Sequence, residues 1–326
     1  MLETILSTPI YQVMLAIVGV LSVATAIALP ADRRRPANER PTELWLRVRS
    51  WWLMAAVFFT AVALDRRLSL VFLGAVSFLA LKEFFGLIPF RPADRRAMFW
   101  AYLAIPAQYL IIGLGNLGLF FVFVPVWMFL LLPARLVATG ETHGFIRSVG
   151  LMHWGMMTAA FGLGHGAALL VLPATAGTGL APSEGIEAAG LEGAGLLLLL
   201  ATLTQANDVF QYVTGRAFGG AKVIPAVSPG KTWSGVIGGV VLTAALSALL
   251  GPLLSPMNVW VSAAVGGVLA FCGFVGDITI SAVKRDLGVK DTGKLLPGHG
   301  GVLDRVDSLT FTAPVFFHVI RVMCYA

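Results

Sequence analysis

The chain has 326 residues, 57% of them hydrophobic and 12% charged, with a formal net charge of +6. That balance excludes a soluble globular domain and points to a polytopic membrane protein. The two cysteines, Cys272 and Cys324, lie in apolar stretches with neither metal-ligand nor disulfide spacing, and read as core-filling thiols.

Ten apolar segments of spanning length follow one another, roughly at 9–29, 51–64, 68–81, 98–114, 117–133, 149–172, 190–203, 234–254, 258–276 and 308–325. The expected fold is therefore all-α: a polytopic helical bundle of about ten transmembrane helices. The first segment meets Pro30 and then Arg33-Arg34-Arg35 with no small-residue cleavage site, so it reads as a retained helix rather than a signal peptide. The second and third are short for a hydrocarbon core of about 30 Å. Asp65-Arg66-Arg67 between them reads as a tight loop between two spans or as a polar break in tilted helices. Two regions emerge: 1–189, with about six N-terminal helices, and 190–326, with polar loops at 205–233 and 277–307.

Basic residues orient the set. Alternate loops hold Arg33, Arg34, Arg35, Arg40, Arg47 and Arg49; Lys82, Arg91, Arg95 and Arg96; Arg135 and Arg147; Arg216, Lys222 and Lys231; and Lys284, Arg285, Lys290, Lys294 and Arg305. Of the 23 Lys and Arg, the rest are Arg66 and Arg67 in an opposite loop and Arg321 in the last span. These loops are therefore expected in the cytoplasm, with both termini outside. His143, His153 and His165 show no paired ligand spacing and suit packing or helix–helix hydrogen bonds. Glu83, beside Lys82 at the end of a span, reads as an interfacial anchor that could also line a site.

Charge concentrates in 277–307, which reads DITISAVKRDLGVKDTGKLLPGHGGVLDRVD. Charge kept beside a bilayer is costly and marks a functional site. Asp277, Ser281 and Lys284 lie at i, i+4 and i+7 and share one helical face. Gly288, Gly293, Pro297, Gly298, Gly300 and Gly301 then make a loop whose backbone can approach a ligand closely. Asp304 and Asp307 stand at the mouth of the last span, where the loop can return them to Asp277. Carboxylates beside lysines and a glycine loop suit Mg²⁺ held on oxygen, with phosphates as further ligands. A second block has Asn207-Asp208 at the end of one span and Ser228-Pro229-Gly230-Lys231-Thr232 before the next. Lys231, the hydroxyls of Ser228 and Thr232, and backbone N–H groups at a helix start favour phosphate.

The run Ser281, Lys284-Arg285, Lys290-Asp291, Gly293, Leu296-Pro297, His299-Gly300-Gly301, Asp304-Arg305, Asp307 resembles the signature of phosphatidate cytidylyltransferases (CDP-diacylglycerol synthases). The second block resembles the same family, and the two blocks cover about the last third of the chain. The resemblance implies transfer of a cytidylyl group from CTP to phosphatidic acid in the bilayer, giving CDP-diacylglycerol and pyrophosphate for phospholipid synthesis. It implies Asp277, Lys284, Asp304 and Asp307 as catalytic residues, with Mg²⁺ and room for a second cation on Asp277, Asp304 and Asp307. Asn207, Asp208, Ser228, Lys231, Thr232, Ser281, Arg285, Lys290, Asp291, His299 and Arg305 become substrate-binding residues, His299 in binding or orientation. A bacterial inner-membrane enzyme follows, with its site facing the cytoplasm, no nucleic-acid partner, and a homodimer as one assembly. The family usually reads S-P-K-K-T-x-E-G where this chain has Gly230 and Ser234 in place of the first lysine and the acid. Those departures keep a transferase for a different lipid phosphate open. Intramembrane charge and broken helices also suit a cation-coupled transporter.

Overall fold

The computed structural model describes residues 8–33, 41–172, 192–293 and 300–324. Among these residues ten long helices follow one another: α1 Pro9–Arg33, α2 Glu43–Leu64, α3 Arg66–Leu87, α4 Arg95–Gly113, α5 Leu117–Val137, α6 Phe145–Val171, α7 Glu192–Phe218, α8 Trp233–Leu254, α9 Val259–Asp286 and α10 Leu303–Cys324. Among the described residues there is no strand, and Lys222 and Thr232 form an isolated antiparallel bridge. Among the described residues, nine helices are long and apolar enough to cross a membrane. The expected span at 98–114 is the exception. It forms α4, 19 residues long, but Arg95 and Arg96 open it and Gln108 interrupts it, so it is not among the nine. Outward-facing Val241, Leu249 and Trp260 are exposed. Such side chains suit contact with acyl chains, and the chain is an all-α, multi-pass membrane protein.

Several helices run past the apolar segments that announce them. The short segments at 51–64 and 68–81 become α2 and α3, each 22 residues long. One extended residue, Asp65 (φ −159°, ψ 144°), separates them. The Ser69 hydroxyl closes the corner by donating to the Ala61 carbonyl at 2.8 Å. The loop expected at 205–233 is helical as far as Phe218, and 277–286 completes α9. Wide turns interrupt α5 at Phe123–Met128, where Pro125 withdraws an N–H, and α6 at Met157–Gly162.

The C-terminal helices pack through small residues, which lets polar backbones approach closely without a hydrophobic drive between helices. On α8, Gly235 lies against the Gln211 carbonyl and Gly238 against Thr214, both on α7. Ser247 of α8 donates to the Ser262 carbonyl of α9 at 2.6 Å. These contacts hold α7, α8 and α9 together, and the Thr204 and Thr312 hydroxyls, 2.9 Å apart, join α7 to α10. On the same side of the molecule, the α3–α4 connection is closed by Asp94. It is fully buried, pairs with Arg91 at 2.7 Å, and accepts the Ser148 hydroxyl of α6 at 2.7 Å.

A methyl group at Gly266 of α9 would fall 2.3 Å from Ser247 Cβ, whereas one at Gly267 meets nothing nearer than 3.8 Å. Gly266→Ala should therefore lower the unfolding midpoint in detergent by the equivalent of about 1–3 kcal/mol. Gly267→Ala should change it by less than about 0.5 kcal/mol. Burial works against the Asp94 charge, but Arg91 and Ser148 outweigh it and hold the carboxyl below its usual 3.8. Its contribution is complete above the unfolded-state value and is lost as pH falls through the lower folded one. The unfolding midpoint should drop from about pH 5 downward, and Asp94→Asn should flatten that drop.

Candidate active site

Two lysine–carboxylate pairs organise the polar end of the C-terminal helices. In the first, Lys231 Nζ lies 2.6 Å from Asp277 Oδ2 and donates to Gln211 Oε1 at 2.9 Å. Asp208 and Asp307 lie close enough for their charges to act on the same ammonium. Burial opposes the lysine's charge, but Asp277 and then Asp208 outweigh it and raise its pKa, so Lys231 stays protonated at neutral pH. Its position follows from local structure. The Thr232 side chain caps α8 by accepting the Gly235 N–H at 3.2 Å, and Val223 donates its N–H to the Lys231 carbonyl at 3.2 Å. Asp277 accepts the Ser281 hydroxyl at 3.3 Å, one helical turn on. Asp307 is buried, and its Oδ1 accepts the Ser308 N–H at 2.7 Å. The Ser308 hydroxyl makes long contacts of 3.4 and 3.5 Å with Asp208.

In the second pair, Lys284 Nζ lies 2.8 Å from Asp304 Oδ1. The other oxygen of Asp304 accepts the Thr292 N–H at 2.7 Å, the Thr292 hydroxyl at 2.9 Å and the Gly301 N–H at 3.0 Å. Glycine is required beside this knot. Gly300 has φ +79°, and a Cβ there would sit 2.6 Å from Asp304 Oδ2. Glu83, from α3, joins the same loop by accepting the N–H groups of Val302 and Leu303.

Beside Lys231 a cavity of about 460 Å³ opens, lined among others by Asp208, Gln211, Tyr212, Arg216, Lys222, Ser228, Gly230 and Thr232. Gly230 leaves open space where a side chain would project. Ser234 donates to the Gly219 carbonyl and so ties the glycine turn to α8. Three cations, Arg216, Lys222 and Lys231, converge on one concave surface that also carries hydroxyls, which suits phosphate groups.

The structure thus brings together Asp208, Lys231, Asp277, Ser281 and Asp307, and sets Lys284 and Asp304 in a neighbouring knot. It does not bring Asn207 to the cavity. That side chain is fully buried, donates to the Ala270 carbonyl at 3.0 Å, and meets the Thr243 hydroxyl at 3.4 Å, tying α7 to α8 and α9. Arg285 bridges the two loops by donating to the carbonyls of Val227 (3.2 Å) and Val289 (3.3 Å). Lys290 and Asp291 are exposed, Arg305 has a buried Nε with no hydrogen-bond partner among the described residues, and His299 lies outside them. Among the described residues no group of three or more His, Cys, Asp or Glu is arranged to hold a metal ion. Asp277 faces Lys231 instead, and both oxygens of Asp304 are engaged. Glu83, which the sequence offers as an anchor that could also line a site, enters it through the start of α10, and Gln211 enters it as a partner of Lys231. Gln211 could have been found from its place one turn beyond Asn207-Asp208.

Lys231→Met leaves Asp208, Asp277 and Asp307 without their shared cation. It should destabilise the protein by about 2 kcal/mol or more, read as unfolding midpoint in detergent, because a partly buried charge is left unpaired. Lys222→Met, on the exposed rim of the cavity, should leave the midpoint within about 0.5 kcal/mol of the parent.

The family model described as "Cytidylyltransferase family" matches residues 45–323. An uncharacterized protein, YnbB of Escherichia coli K12, is 44% identical over 283 residues, covering 87% of this chain and 89% of that protein. The phosphatidate cytidylyltransferase of Pseudomonas aeruginosa is 35% identical over 252 residues, covering 76% of this chain and 85% of that enzyme. The phosphatidate cytidylyltransferase of Haemophilus influenzae is 44% identical over a shorter stretch of 126 residues, 37% of this chain. With its carboxylate–lysine site at the meeting of α7, α9 and α10, the chain belongs to the cytidylyltransferase family.

Proposed function

We infer that the protein transfers a cytidylyl group from CTP to phosphatidic acid, forming CDP-diacylglycerol and releasing pyrophosphate. The observation that carries this reading is the carboxylate cluster of Asp208, Asp277 and Asp307 around Lys231, opening on a cation-lined cavity in a member of the cytidylyltransferase family. An oxygen of the lipid phosphate attacks the α-phosphorus of CTP, a new P–O bond forms, and the bond to pyrophosphate breaks. Phosphate monoesters are already largely ionised at neutral pH, so no strong general base is needed. The difficulty is bringing two anions together, which calls for positive charge and fixed orientation. Lys231, Arg216 and Lys222 supply that charge at the cavity, and Lys284 supplies it beside Asp304. The acyl chains stay in the bilayer alongside the apolar helices.

The carboxylates are not arranged around an ion, and Asp277 is turned to Lys231, but their oxygen-only donor set has the chemistry that a hard divalent cation takes. Asp208, Asp277 and Asp307 offer oxygen alone, lie within range of one another's charge, and share a single lysine. Asp277, Asp307 and Asp208 would hold the ion, and Asp304, with both oxygens engaged, would orient Lys284 instead. Bound there, Mg²⁺ would neutralise charge on the triphosphate and on the leaving pyrophosphate. The distribution of Lys and Arg supports an inner-membrane protein whose site faces the cytoplasm, where CTP is found.

The test is turnover of radiolabelled CTP by purified protein in mixed micelles with phosphatidic acid and Mg²⁺. A CTP-derived liponucleotide should form. Asp277→Asn should cut its rate by about 10²-fold or more, and a chelator should abolish it. Mg²⁺ should also raise the unfolding midpoint of the parent and not that of Asp277→Asn. Product with another lipid phosphate but not with phosphatidic acid would replace the substrate, and no turnover with any lipid phosphate in folded protein would refute the reaction.

A further inference from the structure

The N-terminal helices enter the site through one side chain. Glu83, near the end of α3, reaches across 219 positions of sequence to the start of α10. Its Oε1 accepts the Val302 N–H at 2.9 Å, and its Oε2 accepts the Leu303 N–H at 2.8 Å. The Thr292 hydroxyl lies 3.2 Å from Glu83 Oε2 and 2.9 Å from Asp304 Oδ2. A hydroxyl has one proton and serves one carboxylate at a time, so the shorter contact assigns it to Asp304. Each oxygen of Glu83 thus already has a backbone donor. The carboxylate sits at the positive end of the α10 dipole, where an anion is favoured.

An interfacial anchor needs none of this. The loop is shaped to admit the carboxylate: a Cβ at Gly301 would lie 2.3 Å from Glu83 Oε2, and one at Gly293 would lie 2.9 Å from Oε1. Asp304 and Asp307 occupy the first two turns of the helix whose start Glu83 grips. We propose that Glu83 is a positioning residue for the transfer reaction. It clamps the N-terminus of α10 to α3, which sets Asp304 against Lys284 and delivers Asp307 to the cluster of Asp208 and Asp277. It touches neither substrate, and its effect passes through α10 and Thr292. The proposal rests on the CTP-dependent transfer inferred above.

The experiment uses the full chain in detergent and compares Glu83→Gln and Glu83→Asp with the parent. Glutamine keeps the shape but turns an NH₂ group toward one of the two N–H donors. Aspartate keeps the charge on a shorter stem. Two quantities are read on protein that elutes as a monodisperse peak: kcat and KM for CTP, and the rate of tryptic cleavage after Lys290, which is exposed on the clamped loop. Glu83→Gln should lower kcat by about tenfold or more with KM for CTP within about twofold, and should speed cleavage. Glu83→Asp should recover part of both. Parent-like kcat and cleavage in Glu83→Gln would overturn the proposal, as would a variant that folds poorly while its folded fraction keeps the parent's kcat. If Glu83→Gln gives no monodisperse peak, Glu83→Asp decides: slower turnover with faster cleavage supports the clamp, and parent-like values refute it. If the parent itself does not turn over CTP, the transfer reading fails, and the cleavage rates alone decide whether Glu83 holds the loop.

Discussion

A charged group at the edge of a bilayer must find a partner, and that constraint shapes the end of this molecule where α7, α9 and α10 meet. Lys231 and Lys284 each answer a carboxylate from elsewhere in the chain, Asp277 and Asp304. The first pair joins a loop to α9, and the second joins α9 to α10. Neither pair is self-sufficient. Lys231 serves three carboxylates, whereas Asp304 is surrounded by Lys284 and three further donors. The two sites therefore differ in what they can still do. Both oxygens of Asp304 are engaged, whereas three carboxylates gather about one cation at Lys231. A fully bonded carboxylate beside a cluster with spare oxygen donors is the arrangement expected where anionic substrates and a cation are to be received together.

Much of this was legible in the sequence. Long apolar runs announced the helices, and the i, i+4, i+7 spacing of Asp277, Ser281 and Lys284 placed them on one face. The structure keeps that face, with Asp277 accepting from Ser281 and Lys284 reaching Asp304. The stretch from Gln205 to Phe218 is as polar as a solvated loop, yet the first glycine pair comes only at Gly219-Gly220 and the helix runs to Phe218. It is helix because Gln211 and Thr214 lie against glycines of α8, which replace the solvent that a loop would need. The engagement of Asp304 and the reach of Glu83 could not be read, since their partners are set by tertiary approach and not by spacing. The segment around His299 stays an expectation from sequence.

The two departures from the usual family pattern have different structural consequences. Gly230 removes a side chain from the cavity wall and leaves open space, while Lys222 and Arg216 still face the same concavity. Ser234 gives up a charge but closes a turn, by its bond to the Gly219 carbonyl. One change enlarges the receiving surface, and the other stiffens its rim.

The last helix has a bearing on how the protein is made. Asp304 and Asp307 lie in the opening turns of α10, and Glu83 grips that helix across 219 positions of sequence. While the ribosome is still extending the chain, every earlier helix can already be in the bilayer with the acidic cluster unfinished and the clamp empty. The acidic cluster and the clamp are therefore complete only once α10 has docked against α3, α7 and α9.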